Sequence, residues 1–107
     1  MGIYSTKPIE DIATDEFLRL ITKKEIIISP HALWHLSHHQ RKVFNVEELI
    51  NMVGRETPRK VYLQENKRYA AYYRKSNGYR KLVIEMRYDK IIIVTFVDIS
   101  EIPKYKL

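Results

Sequence analysis

The chain has 107 residues, 45% hydrophobic and 30% charged, and 19 Lys and Arg outnumber 13 Asp and Glu for a net charge of +6. That length suits a single domain over residues 1–107, able to bury roughly 65% of its extended surface in one modest core. The absence of cysteine excludes a disulfide framework and a cysteine-based zinc site. No segment reaches the roughly 18 apolar residues of a membrane span, and no signal-peptide core opens the chain, so a cytoplasmic protein without a membrane partner is expected.

Met1 to Pro8 reads as an arm. Ile9, Ile12, Phe17, Leu20 and Ile21 fall near one helical face, which predicts a helix over residues 9–23 with Lys23 and Lys24 at its C-terminal end. Thr14 or Asp15 could instead cap a shorter helix from Glu16. Glu25 to Ser29 is a β-branched run and predicts a strand. Ser29-Pro30 places an N-cap serine before a proline at the first helical position, so a helix from His31 to about Gln40 follows. After a connector at Arg41 to Asn45, Asn45 caps a second helix, Val46 to Val53, with Glu48 at N3. Val46, Leu49, Ile50 and Val53 form its apolar stripe, and Gly54 is a good terminator.

Beyond Pro58 the period changes to two. Val61 and Leu63 alternate with Lys60, Tyr62 and Gln64, and Glu65-Asn66-Lys67 turns the chain. Arg68 to Lys75 is the next strand, and Ser76-Asn77-Gly78 is a hairpin signal. Arg80 to Arg87 then sets Leu82, Ile84 and Met86 on one face and Lys81, Val83, Glu85 and Arg87 on the other. Lys90 to Val97 is continuously apolar and reads as a central strand covered on both faces. The expected fold is α+β, with N-terminal helices packed on one face of a four- to five-stranded, mainly antiparallel sheet. Residues 1–24 form an arm and helix, 25–99 the core and 100–107 a basic tail.

A basic domain of this size is attracted to polyanions. All four histidines, His31, His35, His38 and His39, lie within nine residues. His31, His35 and His39 share one side of a helix, a spacing able to bind metal, but no His-Glu-x-x-His pattern or intervening carboxylate is present, so neither metal nor other cofactor is expected. His38 and His39 fit a solvated helix end, and Trp34 reads as core. Tyr69, Tyr72, Tyr73 and Tyr79 crowd the two middle strands, where tyrosine is also simply a good strand former.

Metal-free RNA cleavage needs a base for the 2′-hydroxyl, a cation for the phosphorane and an acid for the leaving oxygen, and a ring can stack a base. His31, Glu85 and Arg87 are the catalytic candidates on that chemistry. Arg74, Lys81, Tyr72, His35 and His39 are the candidates for nucleic-acid contact. A solvated sheet face with an ordinary Glu–Arg pair produces the same pattern. P-loop, dinucleotide, nucleophile-elbow and paired-carboxylate glycosidase patterns are absent.

Four segments carry a family likeness: Ile28-Ser29-Pro30-His31-Ala32, Val46-Glu47-Glu48-Leu49-Ile50, Leu82-Val83-Ile84 and Ile92-Ile93-Val94-Thr95-Phe96. Over residues 25–99 the chain resembles the RelE-type toxin superfamily, most of all its BrnT-like branch and a related group of small Ser-x-His-Ala domains. The resemblance implies a RelE/BrnT-like fold and an endoribonuclease acting on free RNA or ribosome-associated mRNA, or a catalytically silent relative, with an antitoxin protein covering the active face. The family usually carries Arg where this chain has His35 and His39, so titratable groups replace permanent charges there. The alternative from a different class is a non-catalytic basic module that binds nucleic acid or an acidic partner protein.

Overall fold

A computed structural model describes residues 6–35 and 46–107, and of His35 only the backbone. The chain opens on a strand, β1 (Pro8–Ile12), followed by α1 (Thr14–Ile21), β2 (Glu25–Ile28) and α2 (Pro30–His35). Next come α3 (Val46–Arg55), β3 (Lys60–Gln64), β4 (Tyr69–Lys75), β5 (Gly78–Met86) and β6 (Lys90–Ile99). Among the described residues the strands form one six-stranded sheet in the order β1-β3-β4-β5-β6-β2. Pairing is antiparallel except at β2, which lies parallel to β6 with Ile26 opposite Ile91 and Ile28 opposite Ile93.

This corrects the expected fold. The sheet has six strands, not four or five, it is mixed, and the helices are interleaved with β1 and β2. The first miss is the helix over residues 9–23. Pro8 has no amide hydrogen and suits the first position of an edge strand, and Ile12 pairs with Val61 and is buried while Ile9 stays 44% exposed. A bulge between Pro8 and Glu10 breaks the alternation, so the two isoleucines only mimic helical spacing. The helix starts at Thr14 after Ala13, whose side chain offers no cap, and Asp15 lies inside the first turn with its Oδ1 accepting the Glu16 amide at 3.0 Å.

Two further expectations change. Gly54 does not end α3 but lies in its last turn, where a Cβ would sit 3.3 Å from Ile26 Cδ1, so its bareness lets α3 approach β2. β6 is flanked by β5 and β2, but its burial alternates at its start, with Ile91 and Ile93 buried and Ile92 only half-buried. It is therefore not covered on both faces. In the basic tail after β6, Ile102 packs against Tyr62, Ala70 and Tyr72. The capping role assigned to Asn45 lies outside the described residues.

The core lies on one sheet face. Val61, Ala71, Tyr73, Leu82, Ile84, Ile91 and Ile93 project from the strands and meet Phe17 of α1 and Leu49, Met52 and Val53 of α3. The other face carries Lys60 and Tyr62, then Tyr72 and Arg74, then Lys81, Val83 and Glu85, as the pleat requires. Ser29 links the helices to the sheet. Its hydroxyl accepts the Ala32 amide at 3.1 Å, capping α2, and donates to the Val94 carbonyl at 2.9 Å. Val94 is the extra residue of a bulge, since Val83 faces Thr95 and Ile84 faces Ile93.

Two turns set the β3–β4–β5 meander. Between β3 and β4, Lys67 adopts φ 72° and its amide donates to the Gln64 carbonyl at 3.0 Å. Between β4 and β5, Ser76 and Asn77 form the loop and Gly78 takes φ 143°, with an added Cβ falling 2.6 Å from the Ile99 carbonyl. Gly78→Ala is therefore expected to lose about 2 kcal/mol through backbone strain and that clash. Lys67→Gly relieves left-handed strain and is expected to gain about 0.5 kcal/mol, after the entropy glycine loses. Urea unfolding of both variants checks this, and a neutral Gly78→Ala would contradict the turn geometry.

Candidate nucleic-acid interface

The hairpin register fixes what the uncovered face presents. Tyr72 lies opposite Lys81, and Arg74 opposite Tyr79. The Arg74 guanidinium sits over the Tyr79 ring at 5.2 Å from its centroid, an exposed cation–π stack. Lys81 is half-buried, and burial holds its amine below the ordinary lysine value. Among the described residues, neither Arg74 nor Lys81 has a carboxylate partner. The two cations singled out for nucleic-acid contact are thus brought together, and both are free to meet an anion.

Tyr72 is a correction. Its side chain is 1% exposed, covered by the returning C-terminal segment, so it cannot stack a base as the chain stands. Burial, then the neighbouring Tyr105 and Tyr62, pushes its hydroxyl well above the ordinary tyrosine value. Its ring meets Tyr62 edge-on at 6.1 Å.

Glu85 and Arg87 lie at the far end of β5. Arg87 Nε donates to Glu85 Oε2 at 2.5 Å, and Arg68 Nη2 donates to Glu85 Oε1 at 3.3 Å. The Arg87 hydrogen bond, then that from Arg68, holds the Glu85 carboxyl below its ordinary value despite burial. A carboxylate so stabilised is a poor proton acceptor, which weakens Glu85 as a general base. Arg87 itself remains exposed.

His31 stands apart from this pair. It follows Pro30 on α2, which meets β6 beside Val94, and its side chain is exposed. The structure therefore gives Glu85 and Arg87 as a unit and does not join His31 to them. His39 lies outside the described residues, as do His38 and the His35 side chain. Trp34, expected in the core, is 51% exposed.

One centre escaped the sequence reading. Arg80 is 1% exposed and projects from the helix-covered face. Its Nη1 donates to Glu48 Oε1 at 2.8 Å and its Nε to Asp98 Oδ1 at 2.8 Å, while Lys75 Nζ donates to Asp98 Oδ2 at 2.6 Å. Glu48 thus serves Arg80 and not only the start of its own helix. The signal was present: Arg80 is in phase with Leu82, Ile84 and Met86, so the alternation that outlined the core also places a charge in it.

No family model, curated protein or solved structure matches the chain. No helix among the described residues is long and apolar enough to cross a membrane.

The network has a pH signature. Burial alone would raise the Asp98 carboxyl, but hydrogen bonds from Arg80 and Lys75 outweigh it and leave it below its ordinary value. Groups with depressed folded values stabilise the fold above their unfolded values and lose that contribution as pH falls through the folded ones. Stability should therefore hold above the ordinary values of 4.5 for Glu85 and 3.8 for Asp98 and decline below them. Asp98→Asn should cost about 1–3 kcal/mol at neutral pH by weakening a bond to a buried cation, and should flatten the acid limb. Thermal melts from pH 7 to pH 3 measure both effects, and an unchanged acid limb would contradict the assignment.

Proposed function

We propose that this protein binds single-stranded RNA across the uncovered face of β4 and β5. The observation that carries the reading is the pair Arg74 and Lys81: two neighbouring cations, one of them half-buried, without carboxylate partners among the described residues. Removing an ammonium from water costs free energy that an arriving phosphate returns. The Arg74–Tyr79 stack adds a planar surface of the kind that unpaired bases use. The net charge of +6 supplies long-range attraction.

An RNA-cleaving toxin with an antitoxin partner is the second reading. It is favoured by the position of Glu85 and Arg87 on the same face, where Arg87 could steady a pentavalent phosphate. It stands second because Glu85 is a weakened base and His31 is not joined to it.

Binding should weaken steeply with salt, because each neutralised phosphate contributes about 0.7 to the log–log slope on single strands. The double substitution Arg74→Gln and Lys81→Gln should reduce that slope by roughly 1.4 while leaving the melting temperature nearly unchanged. Fluorescence anisotropy with a labelled oligoribonucleotide at several salt concentrations provides the test. A slope unaltered by the double substitution would overturn the reading. Cleavage of the same RNA, lost in Arg87→Ala, would favour the toxin, and intact RNA the binding module.

A further inference from the structure

We propose that the cleft between β3 and the C-terminal segment holds one nucleotide, its base against Tyr105 and its phosphate at Arg59 and Lys104. This inference rests on the RNA-binding reading and assigns a second contact point to the same face. After β6 the chain turns back over the uncovered side of the sheet. The Tyr62 hydroxyl donates to the Pro103 carbonyl at 3.3 Å, and the Tyr105 ring meets the Tyr62 ring edge-on at 5.1 Å. These contacts fix one side of Tyr105, yet the residue remains 42% exposed.

Between this segment and the sheet lies a cleft of about 370 Å³, whose walls include Asp11, Arg59, Lys60, Tyr62, Lys104 and Tyr105. That volume falls in the lower part of the range for small-molecule sites, about 300–1,000 Å³. Three cations face one carboxylate, and that carboxylate is already bound: Lys60 Nζ donates to Asp11 Oδ2. The Asp11 hydrogen bond raises the Lys60 amine above its ordinary value, so the pair stays ionised and closed on itself. Arg59 and Lys104 are exposed and have no carboxylate partner among the described residues. The excess positive charge is therefore available to a ligand.

An anchored ring with one open side next to two unpaired cations matches a base joined to a phosphate. An acidic peptide would satisfy the cations and leave the ring unmatched. The cleft and the Arg74–Lys81 patch lie on the same sheet face: Lys60, Tyr72 and Lys81 form one cross-strand row over β3, β4 and β5, with Tyr72 between them covered by the C-terminal segment. Lys60 and Lys81 are thus two strand spacings apart, roughly 9.5 Å. A strand of RNA can occupy both places at once, and a free nucleotide can fill the cleft alone.

The test titrates the full chain with adenosine 5′-monophosphate and with a single-stranded oligoribonucleotide, following amide and tyrosine resonances by NMR. Wild type should show shifts at Tyr105 and Lys104 with the oligonucleotide. Arg59→Gln with Lys104→Gln should weaken oligonucleotide binding by about tenfold or more, and Tyr105→Leu should do the same where Tyr105→Phe does not. If the mononucleotide produces the same shifts, the cleft accepts free nucleotide as well; if only the oligonucleotide does, it serves a nucleotide within a strand. Both outcomes support the proposal. Oligonucleotide binding that depends on Arg74 and Lys81 but ignores Arg59, Lys104 and Tyr105 would overturn it while sparing the sheet-face reading. Loss through Arg59 and Lys104 without any effect of Tyr105→Leu, or equal occupation by polyglutamate, would show a cleft that reads charge alone and would also overturn it. Mononucleotide binding in the cleft with no dependence of RNA affinity on Arg74 or Lys81 would support the cleft and remove the sheet-face reading.

Discussion

In the β4–β5 hairpin, Lys75 lies opposite Gly78 and Tyr72 opposite Lys81, and this register decides which side chains meet water. A shift of one residue would exchange the two faces of one strand, bringing Arg74 into the core and Tyr73 out of it if β4 slips, or Lys81 in and Leu82 out if β5 slips. The apolar cost of burial holds the register from one side, and the Gly78 turn holds it at the end. α1 and α3 then cover the face that carries Leu82 and Ile84. Arg74 and Lys81 are left on the other face as neighbours with no counter-ion among the described residues.

Arg80 is the charge that this division places on the wrong side, and the fold answers it with two carboxylates. Glu48 comes from the first turn of α3 and Asp98 from the end of β6, so one guanidinium ties a helix, a central strand and a neighbouring strand together. A buried ion pair is weak grounds for net stability, because desolvation offsets much of the attraction. Removing one partner is costly all the same, so these three residues are coupled. The opposite face is divided differently. The C-terminal segment shelters Tyr62 and Tyr72 with apolar and aromatic contacts, whereas beside them Arg74 is exposed and Lys81 half-buried.

Much of the meander was legible because its signals are local. Val61, Leu63, Leu82, Ile84 and Met86 follow a strict period of two, and Ser29-Pro30 opens a helix where serine and proline together predict one. The outward placement of Arg74, Lys81 and Glu85 followed from the same alternation. What stayed hidden depends on distant partners. Ile9 and Ile12 fit a helical face until β3 is there to pair with β1, and the parallel placement of β2 against β6 leaves no trace in either segment alone. Tyr72 reads as outward and is outward, yet whether it is exposed depends on Ile102 and Tyr105 about thirty residues later. Glu85 illustrates the limit for chemistry. Its position was readable, but its two guanidinium partners, and hence its weakness as a base, required the geometry.

The central claim is that RNA lies on the uncovered sheet face and not on the helical side of the molecule. Hydrogen–deuterium exchange with and without a saturating single-stranded oligoribonucleotide tests this without any substitution. Protection should concentrate in β4 and β5 around Arg74, Tyr79 and Lys81 and in the residues 102–107 beside them, with α1 and α3 unchanged. Protection confined to α2 and its exposed Leu33 and Trp34, with β4 and β5 unaffected, would contradict it.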